Sequence, residues 1–154
     1  MGSYFINSAS VTFEVNSYVS EDFTLASGSS PMYYYVGESG FYQTVVQKKI
    51  ITGEDDNVAG ADGNVYWNWY HEWGTGTSIP SGQFDMRNAA MHEILHAMGL
   101  ASRVSAPGTN AGTTVWNTFD RYLVDEQGTP LISAEGAWLG MDSVLVSGNL
   151  YFNG

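Results

Sequence analysis

Three ionisable side chains lie close together and carry the clearest chemical signal in the sequence. They are His92, Glu93 and His96, in the stretch HEILH. In an α-helix four residues advance the chain by about 6 Å and turn it by about 40°, so the two histidines project from one face. Two imidazoles in that arrangement can bind one metal ion at about 2.0–2.1 Å, as zinc requires. The spacing therefore predicts a metal site formed by His92 and His96.

Glu93 lies between the two histidines but points in a different direction, about 100° round the helix from His92. It is poorly placed to bind the same ion, but it can reach a water molecule beside that ion. A carboxylate in this position can act as a general base while the water attacks a carbonyl group. A bound metal ion would lower the pKa of the water to about 7. These residues therefore favour metal-assisted hydrolysis with Glu93 as the catalytic base.

The element that carries these three residues is predicted to be a helix over residues 84–99. Asp85 is expected to cap its first turn, and Gly99 is expected to end it because glycine adopts positive φ without strain. Apolar residues occupy most of its circumference, so we expect the helix to be largely buried. Buried polar side chains without partners cost about 1–3 kcal/mol each. A metal ion and a substrate cleft would satisfy those on this helix.

The longer stretch HEILHAMGLAS is similar to the H-E-x-x-H-x-x-G-x-x-H motif of metzincin zinc peptidases. His92, Glu93, His96 and Gly99 match that motif residue by residue. A looser similarity to secreted bacterial proteins covers residues 85–154. The resemblance implies a zincin-like fold, a zinc cofactor and an endopeptidase that acts on peptides or proteins. In zincins a strand beside the active-site helix pairs with the substrate backbone, and residues 65–70 are our candidate for it.

The third zinc ligand departs from the motif, because Ser102 stands where a metzincin has its third histidine. No histidine follows His96. Asp120 is our first candidate, since an aspartate is the third ligand in the aspzincin branch, although the G-T-x-D-x-x-Y-G pattern of that branch is not reproduced. A ligand beyond residue 154 and His71 are alternatives. A downstream glutamate, as in gluzincins, is a further one, and the candidates are Glu126 and Glu135.

A loop rich in acidic and amide side chains lies between residues 53 and 63. Its carboxylates include Asp55, Asp56 and Asp62. Calcium in proteins binds six to eight oxygen atoms, so this loop is a candidate calcium site. The spacing does not match an EF-hand, and a solvated acidic turn is the alternative interpretation.

The remaining segments predict an α+β fold in a single domain over residues 1–154, with a small mixed or antiparallel sheet beside the active-site helix. Strands are expected over residues 10–16, 64–70, 116–124 and 144–152, and a second helix over residues 41–50. Residues 27–31 are expected to form a loop. The first residues, MGS, are typical of an expression tag, and the resemblance implies that the natural protein continues past residue 154.

Composition and charge exclude several classes of partner. Lys and Arg number 5 and Asp and Glu number 16, giving a net charge of −11. Such a surface repels nucleic acids and anionic membranes. The chain has no cysteine, which excludes disulfides and thiol nucleophiles. The 18 glycines and 10 tyrosines favour a secreted protein, although the start of the sequence lacks a signal peptide.

Two other functions fit the sequence. Ser102, in place of the third histidine, is compatible with a degraded zincin that has lost zinc or activity. The aromatic residues are compatible with a carbohydrate- or protein-binding module that would use Trp67, Trp69 and Trp73.

Overall fold

The computed structural model describes residues 8–34, 37–57, 59–105, 114–140, 148 and 150–154. The described residues fall into two compact units. The first contains those up to Pro31 and those of Val45–Leu100, and the second contains those of Met32–Thr44 and Ala101–Gly154. Each unit mixes helical and extended segments, which confirms the α+β class. The single-domain assignment stays a prediction.

Short strands alternate with two α-helices and one 3-10 helix along the described part of the chain. No described helix is long and apolar enough to cross a membrane. In chain order the elements are β1 (Phe13–Tyr18), β2 (Ala26–Ser29), β3 (Gly40–Tyr42), α1 (Val45–Thr52), β4 (Gly63–Asn68), β5 (Trp73–Gly74), β6 (Phe84–Asp85), α2 (Met86–Ala97), β7 (Val115–Asn117), a 3-10 helix (Thr118–Tyr122), β8 (Leu123–Val124) and β9 (Tyr151–Phe152).

A three-stranded mixed sheet forms the base of the first unit. Its strand order is β1-β4-β2, with β1 parallel and β2 antiparallel to β4. The predicted strands over residues 10–16 and 64–70 are confirmed as β1 and β4, with shifted bounds. Since β4 lies in the middle, both of its edges are paired. The prediction that this strand binds the substrate backbone is therefore wrong.

Helix α2 packs on the face of this sheet, over β2 and β4. Val65 and Trp67 of β4 form a buried cluster with Ala97 of the helix. The contact is closest at Gly28 of β2, where a Cβ atom would overlap the backbone carbonyl of Glu93. A glycine at this position therefore allows the helix to approach the strand.

The opposite side of α2 is exposed to solvent. Met91 is 65% exposed, Ile94 44% and Leu95 50%. The prediction of a largely buried helix is therefore wrong. The reason is that the two-stranded surface of β2 and β4 covers only one side of a helix that is apolar on several sides.

The predicted helix over residues 41–50 is wrong in its first part. Gly40–Tyr42 form strand β3, which pairs in parallel with β7, and helix α1 begins only at Val45. Residues 27–31 were expected to be a loop, but Ala26–Ser29 form strand β2. In both segments pairing with a strand distant in sequence overrides the local preference.

The second unit has a small core around Trp116, Leu123, Leu131 and Ile132. The predicted strand over residues 116–124 is divided into β7 and β8 by the 3-10 helix. Of the predicted strand over residues 144–152, the structure contains β9, which pairs antiparallel with β8. Residues 144–147 and 149 of that prediction lie outside the described residues.

Candidate metal centre

The two histidines of α2 bring their ring nitrogens to one point. The Nε2 atoms of His92 and His96 lie 2.9 Å apart, and their ring centroids are separated by 4.4 Å. At this distance one Nε2 atom must donate a hydrogen bond to the other, because two N–H groups or two lone pairs would repel each other. A bound cation would take the place of the shared proton and accept both lone pairs. The structure therefore has the convergent donor pair that the helical spacing predicted, and this pair fits a zinc ion's preference for imidazole nitrogen.

The other nitrogen of His96 faces the end of its own helix. Nδ1 lies 2.9 Å from the carbonyl oxygen of Leu100. Because a carbonyl only accepts hydrogen bonds, Nδ1 must carry the proton, which leaves Nε2 with its lone pair. Metal-binding histidines generally have such a partner on their second nitrogen. The Leu100 carbonyl therefore selects the tautomer that a metal ligand needs.

The helix ends as the sequence predicts. Gly99 has φ +92°, its N–H donates to the carbonyl of His96, and the N–H of Leu100 donates to the carbonyl of Leu95. This pair of bonds is a Schellman motif, and it turns the chain so that Leu100 lies back against the last helical turn. At the other end the Asp85 carboxylate accepts bonds from two backbone N–H groups, as expected of a cap.

Glu93 is buried beside the histidine pair, with 8% of its surface exposed. Among the described residues no hydrogen bond to its carboxylate occurs, so nothing in that part of the chain competes for the proton-accepting oxygens. Glu93 and His92 line the same cleft, which has a volume of about 470 Å³. The other lining residues are Thr24, Leu25, Ala26, Phe84, Asp85, Asn88 and Ala89.

One wall of this cleft was missed by the sequence analysis. It consists of residues 24–26, which lead into β2, and it is held in place by Asn68 at the end of β4. The Asn68 side chain is fully buried and donates to the carbonyls of Ser20 (2.8 Å) and Thr24 (2.9 Å). The sequence signal next to this wall is the small-residue run ASGS, residues 26–29, whose Gly28 permits close packing against the helix.

Phe84 also lines this cleft, and its ring packs against His71 with the centroids 5.5 Å apart. The Nε2 atom of His71 lies 3.0 Å from the backbone carbonyl of Asp22. His71 therefore borders the cleft wall through Phe84. Its described partners are aromatic rings and a carbonyl, which is the arrangement of a structural histidine.

Asp120 is fully buried in the second unit, where backbone and hydroxyl donors surround it. Its carboxylate accepts bonds from the Ser102 hydroxyl (2.6 Å), the Arg103 N–H (3.1 Å) and the Asn117 N–H (3.0 Å). Burial raises the pKa of Asp120, while these hydrogen bonds act to lower it. In the described residues no three His, Asp or Glu side chains lie close enough to share a metal ion. Asp120 as third ligand stays a prediction, as do its alternatives.

The bonds to Asp120 predict a loss of stability when its charge is removed. In Asp120→Asn an amide N–H₂ would face the backbone N–H groups of Arg103 or Asn117. We expect the free energy of unfolding to fall by about 1–3 kcal/mol, because a buried donor is left unsatisfied. Urea unfolding of the metal-free protein measures this, with the more exposed Asp56→Asn as control. Equal stability of the two variants would contradict the structural role.

If Asp120 is also a zinc ligand, we expect Asp120→Ala to lower the zinc affinity at least about tenfold.

The acidic loop predicted to bind calcium has lysine partners instead. Asp62 is fully buried, and it accepts bonds from the Thr12 N–H (2.6 Å) and the Lys49 ammonium (3.0 Å). Lys49 also lies 2.8 Å from Asp55, and Asp55 and Asp62 together raise its pKa. A second lysine pairs with Asp56 at 2.7 Å. A calcium ion here would have to displace these ammonium groups, and the site stays a prediction.

Comparison with known proteins adds no relative. No family model, curated protein or solved structure matches the chain. The chemistry of the site therefore follows from its own groups, which are two convergent imidazoles, an adjacent buried carboxylate, and a cleft bordered by a strand edge. Such groups can bind a cation and activate water next to an extended chain.

Proposed function

We propose that the protein is a zinc-dependent endopeptidase. The observation that carries this proposal is the convergence of the His92 and His96 Nε2 atoms at 2.9 Å, beside Glu93 in an open cleft. Convergent imidazoles with a neighbouring carboxylate are the donor set of metal-assisted hydrolysis. The resemblance of HEILHAMG to the metzincin motif supports the same activity.

His92 and His96 would hold the zinc ion, and Asp120 is the proposed third ligand. A bound zinc ion would act as a Lewis acid, which would polarise the scissile carbonyl group and lower the pKa of the attacking water. The tautomer of His96 needs no rearrangement for this role, because the Leu100 carbonyl already occupies its Nδ1–H. The chain therefore presents His96 in the form in which zinc binds it.

Glu93 is proposed as the general base. Its carboxylate would take a proton from the water molecule as the water oxygen forms a bond to the carbonyl carbon. The same group would then give that proton to the amine nitrogen as the carbon–nitrogen bond breaks. Burial against β2 holds the side chain in place, and the lack of a described hydrogen-bond partner leaves its oxygens available.

The edge of β2 is proposed to bind the substrate backbone. The carbonyl of Leu25 accepts a bond from the N–H of Asn68 (3.0 Å), so Leu25 faces β4. Alternate residues of an antiparallel ladder face opposite edges, and the backbone groups of Ala26 therefore point away from β4. Ala26 also lines the cleft. An extended peptide could add to this edge as a further strand and pass the histidines.

A zincin that does not hydrolyse peptides is the second candidate. It is favoured by Ser102, which donates its hydroxyl to Asp120 where a metzincin has a zinc ligand. The aromatic binding module has less support from the geometry. Trp67 and Trp73 pack edge to face at 5.2 Å, with Trp67 buried, and only Trp69 of the three is exposed.

A zinc titration combined with a peptidase assay tests the proposal. We expect about one zinc per chain, and hydrolysis of unfolded protein substrates that a chelator abolishes and added zinc restores. Zinc binding without hydrolysis would identify the second candidate. If the protein retains no stoichiometric zinc after loading, the proposal is contradicted and a degraded zincin that has lost its metal is the remaining candidate.

A further inference from the structure

We propose that Gln47 of α1 is a positioning residue that holds His96 in its metal-binding tautomer. Its relevance to catalysis rests on the proposed function, but its effect on His96 does not. The Gln47 side-chain amide donates to the carbonyl of Gly99 at 3.2 Å. Gln47 belongs to α1 and Gly99 follows α2, so this bond joins two elements that are distant in sequence.

The contact between Gln47 and Gly99 is close as well as polar. A Cβ atom on Gly99 would lie 2.6–2.8 Å from three side-chain atoms of Gln47. Two features therefore require glycine at position 99. Its φ is positive, and Gln47 occupies the space that a Cβ atom would need. The amide of Gln47 thereby fixes the peptide group that joins Gly99 to Leu100.

The next carbonyl along the chain is the one that binds His96. The Leu100 carbonyl lies 2.9 Å from His96 Nδ1, and the peptide fixed by Gln47 immediately precedes it. The Schellman bonds hold the N–H groups of this turn, whereas Gln47 holds its Gly99 carbonyl. Without Gln47, the turn can rotate and the Leu100 carbonyl can leave the histidine.

The tautomer of His96 decides whether the site can bind a cation. With the proton on Nδ1, the lone pair of Nε2 points to the Nε2 atom of His92, 2.9 Å away. With the proton on Nε2, an N–H group would occupy the place of the metal ion. A residue that keeps the Leu100 carbonyl in position therefore favours the form of His96 that binds metal.

The test is Gln47→Leu, which keeps a side chain of similar size in the apolar groove with Ile50 and Leu100 but has no N–H to donate. Nitrogen-15 NMR of the metal-free protein at a pH of about 8, where histidine is neutral, measures the tautomer of His96. We expect a shift of population from the Nδ1–H to the Nε2–H form, and a zinc affinity about 10–100-fold lower. Gln127→Leu, in an exposed turn of the second unit, is the matched control and is expected to change neither.

The outcomes separate this proposal from a structural role and from the proposed function. An unchanged tautomer in Gln47→Leu would overturn the proposal, even if thermal stability falls. If Gln47→Leu does not fold, Gln47→Glu retains the shape and lacks the donor, and the same readout applies to it. If the wild-type protein binds no zinc, the proposed function fails, while the tautomer measurement still decides the role of Gln47.

Discussion

Glu93→Gln is expected to lower kcat/KM for peptide hydrolysis by about 10²- to 10⁴-fold while leaving zinc content unchanged, which is the range of a lost general base. Glutamine keeps the shape of the side chain but has no basic oxygen to take a proton from water. No described hydrogen bond depends on the Glu93 carboxylate, so the fold should tolerate the change. The measurement is peptidase kinetics together with elemental analysis of the same preparation.

The matched control is Glu14→Gln, which makes the same substitution on an exposed position of β1. It is expected to hydrolyse peptides at the wild-type rate. Activity near wild type in Glu93→Gln would assign the base to another residue. A loss of zinc together with the activity would mean that Glu93 acts in metal binding, which would overturn the role proposed for it.

His96→Ala is expected to abolish tight zinc binding. A catalytic zinc site generally has three protein ligands, and removal of one leaves an incomplete set. Loss of a residue that merely orients a ligand costs about 10–100-fold in affinity, so loss of the ligand itself should cost more than about 100-fold. The metal-free variant and the metal-free wild-type protein are each titrated with zinc, and a competing chelator indicator reports the free zinc concentration. The ratio of the two dissociation constants measures the loss of affinity.

His71→Ala is the control, because it removes the only histidine outside the pair. Its ring packs against Phe84 and its Nε2 atom lies near the Asp22 carbonyl, so we expect it to retain zinc and to lose some thermal stability. Equal losses of zinc affinity in both variants would make His71 a ligand. Unchanged affinity in His96→Ala would remove the basis of the proposed metal centre.

The sequence determined those parts of the site that depend on near neighbours. The i, i+4 spacing of His92 and His96 places them on one helix face, and Asp85 and Gly99 end the helix through backbone bonds within a few residues. Helical periodicity and capping are local effects. A single segment therefore contains all the information needed to predict them.

The tertiary structure decided which surfaces surround that helix. Pairing with β4 made Ala26–Ser29 a strand, and the absence of a side chain on Gly28 let the helix lie against it. The bonds from Ser102 and Arg103 to Asp120 and the bond from Gln47 to Gly99 likewise join distant segments. These contacts form only when the elements pack together in the folded protein. They are stabilised by packing and hydrogen bonds between distant segments, which a local sequence pattern cannot predict.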